Sequence, residues 1–424
     1  MTESRRNTPG DKDQDAKQDG RRAEELELHQ AMDLEPQFER FQRGALIAGA
    51  IGLVLAAAGL LLGNVNRFFQ AYLVAYLFWS GIGLGCLLIV LLHYVVGGGW
   101  GVVIRRIVEA ASKTLWLVAL SFIPIILGVR YLYPWANPDL VAADPVLQHK
   151  SLYLNIPFFI VRAIVFFVLW IGLTWLLTRW AEQPEYFTDP MRRRTFQRLS
   201  AIGIILFVLT GTFASVDWVM SLDPAWFSTI FGFLIITGQA LSGMAFALVF
   251  LPFLVRRSPL LDFVTPGLIR DLGALLLTLV IFWAYISFSQ YLIIWFGNIP
   301  REVTWYINRS NGGWRWVIIL VSAVQFVLPF MALLSLRAKS NLRLLAGLSL
   351  AILAMRYVET FWVVMPSFNP ERFNIHWVDF AVPLALGGLW IMVFIWHLRR
   401  TPPSLLTEYG VQESSDRGPE QTPA

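Results

Sequence analysis

The chain has almost no cysteine and little histidine: Cys86 stands alone, and His29, His93, His149, His376 and His397 are scattered over 424 residues. A single thiol holds no iron–sulfur cluster and makes no CxxCH haem attachment. Five dispersed imidazoles do not supply two bis-His haems, since only His93 and His397 fall in or near apolar segments, both at segment ends. A phosphate loop is missing too, because "GGGWG" (97–101) lacks the Lys and Ser/Thr that such a loop needs. Any electrons must be carried by something else, and no nucleic-acid partner is expected.

Apolar residues are what the chain does have. It is 56% hydrophobic and 14% aromatic, with 18 Trp and a mean hydropathy of +0.57, outside the range of soluble domains. Ten uninterrupted apolar runs, near 45–63, 70–96, 115–133, 156–178, 199–216, 227–254, 270–296, 315–336, 343–365 and 377–398, are each long enough to cross hydrocarbon as a helix. Lipid satisfies no open backbone, and the runs lack the alternation of barrel strands, so the expected fold class is an all-α integral membrane protein with ten transmembrane helices.

The flanks differ in kind. Residues 1–44 carry 8 Lys+Arg against 11 Asp+Glu and residues 401–424 carry 1 against 4, so both read as solvated, unstructured tails around a membrane domain at 45–398. No signal peptide is expected before the first run. Loops on the N-terminal side hold 16 Lys+Arg and the opposite loops 7. By the positive-inside rule both termini are expected in the cytoplasm, with a bacterial inner membrane as the location.

The opposite loops are aromatic and rich in Asn, Pro and Gly: "YLYPWANPDL" (131–140), "DWVMSLDPAW" (217–226), "WFGNIPREVTWYINRSNGGW" (295–314) and "MPSFNPERFNIHW" (365–377). Aromatic belts account for part of this; a docking surface for an external partner accounts for the rest, with Asp223, Glu302 and Trp305 as candidate contacts. A repeat is visible as well: 68–92 echoes 226–251, and 119–128 echoes 285–297. Four helices per copy make the copies parallel, predicting two four-helix bundles (about 70–216 and 227–365) with the first and last spans peripheral.

Polar groups inside spans are costly in lipid and functional by default. At ~1.5 Å per residue, Arg162, Asp217, Gln290, Arg356 and Glu359 fall at similar depths in the outer half, with Tyr285, Ser287 and Ser289 around Gln290. Depth alone suggests one outward-opening polar pocket, or interhelical hydrogen bonds that hold the bundles together. Arg356 and Glu359, three apart on one helical face, are the sharpest pair.

"SVDWVMSLDPAWFSTIFG" (215–232) with "SFSQYLIIWFGNIPREVTWY" (287–306), followed by "RYVETFWVV", resembles the NrfD-like, or PsrC-like, membrane subunits, in particular the second of two such subunits in alternative complex III, a quinol:cytochrome c oxidoreductase. "FFQAYLVAYLFWSGIGLG" (68–85) and "GGGWGVVIRRIVEAA" (97–111) are similar too, so the likeness covers roughly 40–400. It implies two four-helix bundles beside a second NrfD-like membrane subunit, with periplasmic iron–sulfur and multihaem cytochrome c subunits as partners and a quinone or quinol as the one candidate cofactor. Arg301 stands where relatives usually have Glu, and Ala225 where they often have His. The motif residues that carry over are Asp217, Asp223, Gln290, Glu302, Arg356 and Glu359.

The expectation is therefore a respiratory membrane subunit without a redox centre of its own. Asp217, Arg356, Glu359 and Arg162 are candidates for proton exchange, and Gln290, Tyr285 and Ser289 for quinone contact. The rivals are a stand-alone secondary transporter or channel, which calls for discontinuous helices, and a purely structural anchor.

Overall fold

The computed structural model describes residues 9–181, 190–255 and 264–400, with side chains from residue 36 onward. The tail at 401–424, Arg256 and Arg257 lie outside the described residues. Every regular element described is helical. Ten helices are long and apolar enough to cross a membrane: α1 (Pro36–Leu62), α2 (Val65–Val96), α3 (Gly99–Leu127), α4 (Ile156–Ala181), α5 (Met191–Leu222), α6 (Phe231–Val255), α7 (Pro266–Gly297), α8 (Trp314–Leu333), α9 (Leu342–Ser367) and α10 (Val378–Arg400). The fold class is the one expected from composition and run length.

The helix that contains α1 begins at Pro9, inside the stretch read as an unstructured tail. Residues 22–43 are rich in Ala, Glu, Leu and Gln, good helix formers. Once α1 is formed, the helix extends past Pro36 without a new nucleus, losing the one hydrogen bond that proline cannot donate.

Contacts close two rings, α2–α3–α4–α5 and α6–α7–α8–α9, joined along α2 and α6. That seam is a backbone contact. A Cβ on Gly85 would lie 1.8 Å from the Gln239 carbonyl oxygen, and one on Gly243 would lie 2.5 Å from the Gly85 carbonyl carbon. Gly85 and Gly243 take matching positions when 68–92 is laid on 226–251, so the repeat meets itself. Lipid gives helices no hydrophobic reason to associate, and small residues that let backbones approach supply the packing energy. The peripheral pair repeats the device: α1 packs on α10 where Gly49 and Gly52 meet Gly388 and Ala385.

Gly85→Ala or Gly243→Ala should lower the thermal midpoint in detergent, by an amount equivalent to at least roughly 1–3 kcal/mol of overpacking. Gly172→Ala, whose Cβ meets no atom within 4 Å, should leave the midpoint unchanged or raise it.

Candidate functional site

Helix α9 starts at Asn341, whose side chain accepts the Arg343 and Leu344 N–H groups. Running from there, it brings Arg356 and Glu359 onto one buried face. The Glu359 carboxylate accepts from three donors: Trp283 Nε1 of α7 at 3.0 Å, Gln325 Nε2 of α8 at 2.7 Å, and Arg356 Nη1 of its own helix. Arg356 Nε donates to Ser242 Oγ on α6 at 3.3 Å, and the guanidinium lies over Gly238, where a Cβ would come within 2.1 Å of Nη2. Glu359 thus ties α7, α8 and α9 together, and its partner Arg356 ties α9 to α6.

Gln325 reaches Glu359 through a local change of helix type. Residues Ser322–Val327 form a π turn, closed by the Leu328 N–H donating to the Ala323 carbonyl. Pro329 has no N–H, and its ring presses on the carbonyl four residues back, that of Gln325. The wider turn relieves that clash, and such turns cluster at functional sites. Gln325 is fully buried as a result.

Beside Glu359 lies a cavity of about 610 Å³ between α7, α8, α9 and the short helix Pro300–Asn308. Aromatic residues make up half of its wall, including Trp283, Phe288, Tyr291, Tyr306 and Phe326, with Trp305 and Trp362 also against it. Among the described residues, Glu359 is the one charged side chain on that wall. Burial pushes the Tyr306 hydroxyl well above the usual tyrosine range, so it stays protonated and can donate. Tyr285 and Phe288, 64% and 61% exposed, place the mouth on the outer flank of the bundle. A volume of this size takes a drug-sized amphipathic molecule.

The five residues expected at one depth do not converge. Arg162 and Asp217 pair with each other inside the first bundle, Nε to Oδ2 at 2.7 Å and Nη2 to Oδ1 at 3.1 Å. The Arg162 guanidinium also donates to the Tyr153 carbonyl and stacks on the Tyr153 and Phe158 rings, 3.9 and 4.3 Å from their centroids. Both groups are buried and mutually satisfied, an arrangement that fastens the 133–155 loop to the bundle end. Gln290 is fully buried and faces Tyr306, with neither amide atom in a well-formed hydrogen bond, and it does not line the cavity. Ser289 is half-buried and off the wall, whereas Tyr285 and Ser287 are on it.

On the aromatic-loop face, Trp305 is buried, stacked on Trp226 with centroids 4.7 Å apart, and roofs the cavity instead of facing outward. Asp223 accepts from Arg309 Nη2 at 3.3 Å and from Ser367 Oγ at 2.7 Å. Glu302 is half-buried on the short helix. Arg309 is the residue the sequence reading passed over. It is fully enclosed, donates to the Val363 and Trp305 carbonyls, and lies 3.7 Å over the Trp305 ring. Burial pushes its guanidinium down to about 10, with Asp223 pulling the other way. Nearby, Arg301 donates to the Ala225 carbonyl and Lys150 to that of Pro224 at 2.7 Å, so three cations hold the 223–226 turn. Burial, then Arg301, lowers Lys150 from the usual lysine range. Trp283 was missed as well: among 18 Trp, nothing in the sequence marks the one that donates to Glu359.

No family model matches the chain, and no curated protein matches it. The chemistry of the site is the basis for a role.

If Arg162 and Asp217 are a clamp, Arg162→Ala should cost about 3–5 kcal/mol by stranding a buried carboxylate. The double change Arg162→Met with Asp217→Leu should recover most of that loss, as read by thermal unfolding.

Proposed function

We propose that the chain is a membrane subunit of a quinol-oxidising respiratory complex, without a redox centre of its own, and that the cavity beside Glu359 takes a quinol or quinone head group. The observation that carries this is one carboxylate, held by three donors, as the charged group on a wall that is half aromatic and otherwise aliphatic and hydroxyl-bearing. A quinol ring is flat and apolar apart from two oxygens. It needs stacking surface, an acceptor for its O–H, and a way in from the bilayer for its tail. Rings from α7 and α8 supply the first, Glu359 the second and the lipid-facing mouth by Tyr285 and Phe288 the third. Tyr306, Ser310 and Ser322 offer hydroxyls for the second oxygen.

In this reading the membrane is the bacterial inner one, and the excess of Lys and Arg on one side puts both termini in the cytoplasm. The aromatic-loop face is then periplasmic. There it meets the iron–sulfur and multihaem cytochrome c subunits that the NrfD-like resemblance implies, and the second NrfD-like subunit lies alongside in the membrane. The π turn of α8 would also suit a transporter built on broken helices. Its backbone stays helical through Ser322–Val327, however, leaving no run of free carbonyls to hold an ion.

Glu359→Gln keeps the shape of the side chain and removes its proton-accepting charge. It should lower quinol oxidation per assembled complex about 10²-fold or more, while the amounts of haem-bearing subunits co-purifying with the chain stay constant. Solvent extraction of the gently purified assembly should release quinone. A stable chain recovered alone, without haem or quinone and with Glu359→Gln silent, would overturn the proposal in favour of the transporter.

A further inference from the structure

Glu359 borders a second cavity besides the aromatic one. This smaller space, of about 40 Å³, lies at the seam between the bundles, where α2, α6 and α9 meet the end of α5. Its polar wall is made by Gln239, Ser242, Arg356, Glu359 and Thr360, and Gly81 leaves it open on the α2 side. Gln239 Oε1 is buried there and accepts no hydrogen bond from a described residue. Arg356 spends Nη1 on Glu359 and Nε on Ser242, which leaves Nη2 without a hydrogen bond to a described residue. Thr360 Oγ1 donates to the Arg356 carbonyl and keeps its lone pairs free to accept.

We infer that this seam cavity is a site for ordered water, which links Gln239 to Arg356 and offers a protonated Glu359 a hydrogen-bond acceptor. The volume exceeds the ~10–15 Å³ that one water needs, and the wall offers the two to four polar partners that hold one. A water donates to Gln239 Oε1 and Thr360 Oγ1 and accepts from Arg356 Nη2. Each group then has the partner that a buried polar atom requires. The aromatic cavity, by contrast, is too large and too apolar over most of its wall to order water in the same way. Glu359 therefore borders both a ligand-sized apolar space and a water-sized polar one. When Glu359 carries a proton taken from the first space, the second lone pair of the seam water can accept a hydrogen bond from it while the proton stays on the carboxylate.

The water site itself needs only the seam; the protonation of Glu359 beside it rests on the quinol reading above. A high-resolution map of the native assembly in lipid nanodiscs tests the site directly. Density between Gln239 Oε1 and Arg356 Nη2 is expected, lost in Gln239→Leu and kept in Gln239→Glu. Gln239→Leu should also slow quinol oxidation about tenfold without changing KM. A dry seam, or Gln239→Leu with unchanged turnover and an unchanged or higher thermal midpoint, would overturn the inference. Seam water present while the large cavity holds no quinone would leave the water site standing and remove the quinol reading. Quinone present beside a dry seam would do the reverse.

Discussion

Everything else in the molecule hangs on the close approach of α2 and α6. Two membrane helices gain nothing from hiding apolar surface from lipid, so contact between them has to come from packing at short range. Gly85 and Gly243 permit it, because any side chain at either position would run into the other helix's backbone. With the seam fixed, α9 packs along α6 and against α2, and Arg356 finds the space left by Gly238. Glycine at 238 therefore acts on the charge of Glu359 at one remove: it decides where the guanidinium sits.

Buried charge is distributed so that most pairs serve as fasteners. Arg67 with Asp379 joins the start of α2 to α10, and Arg105 with Glu109 is closed off by Tyr94 and the Ala181 carbonyl. Arg162 with Asp217 and Arg309 with Asp223 secure the aromatic loops. Each takes at least one ion largely out of water, with Asp223 the most exposed member, and such pairs survive only when further hydrogen bonds complete the shells. Arg356 with Glu359 obeys the same rule for its internal partners, yet Glu359 also touches two cavities. Accessibility separates a site from a fastener, and ion-pair chemistry alone does not.

The sequence made the architecture legible because the signals are long and redundant. Twenty apolar residues in a row have one solution in lipid, and the repeat points to two four-helix bundles, whereas the Gly85–Gly243 seam between them comes only from the structure. The site was legible only in part. Arg356 and Glu359 announce themselves by spacing, since three residues on a helix share a face. Depth along a span, however, says nothing about azimuth, so Arg162 and Asp217 looked like neighbours of Glu359 when they point into another bundle. Trp305 looked like a docking ring, but its stacking on Trp226 depends on how the 223–226 turn folds over it, a long-range fact. Arg309 counted only as a loop charge until the turn enclosed it.

The π turn in α8 ties the two levels together. A straight α-helix through Ser322–Val327 would give Gln325 a different azimuth and would set its carbonyl against the Pro329 ring. The wider turn resolves the backbone conflict, and the side chain that comes inward is the one that binds Glu359 at 2.7 Å. The same turn puts Ser322 and Phe326 on the cavity wall. Pro329 is thus a local sequence feature whose effect is felt at a carboxylate on another helix. The wall of the ligand-sized space and the hydrogen-bond shell of its one charge are shaped by a single irregularity, so neither can change without the other.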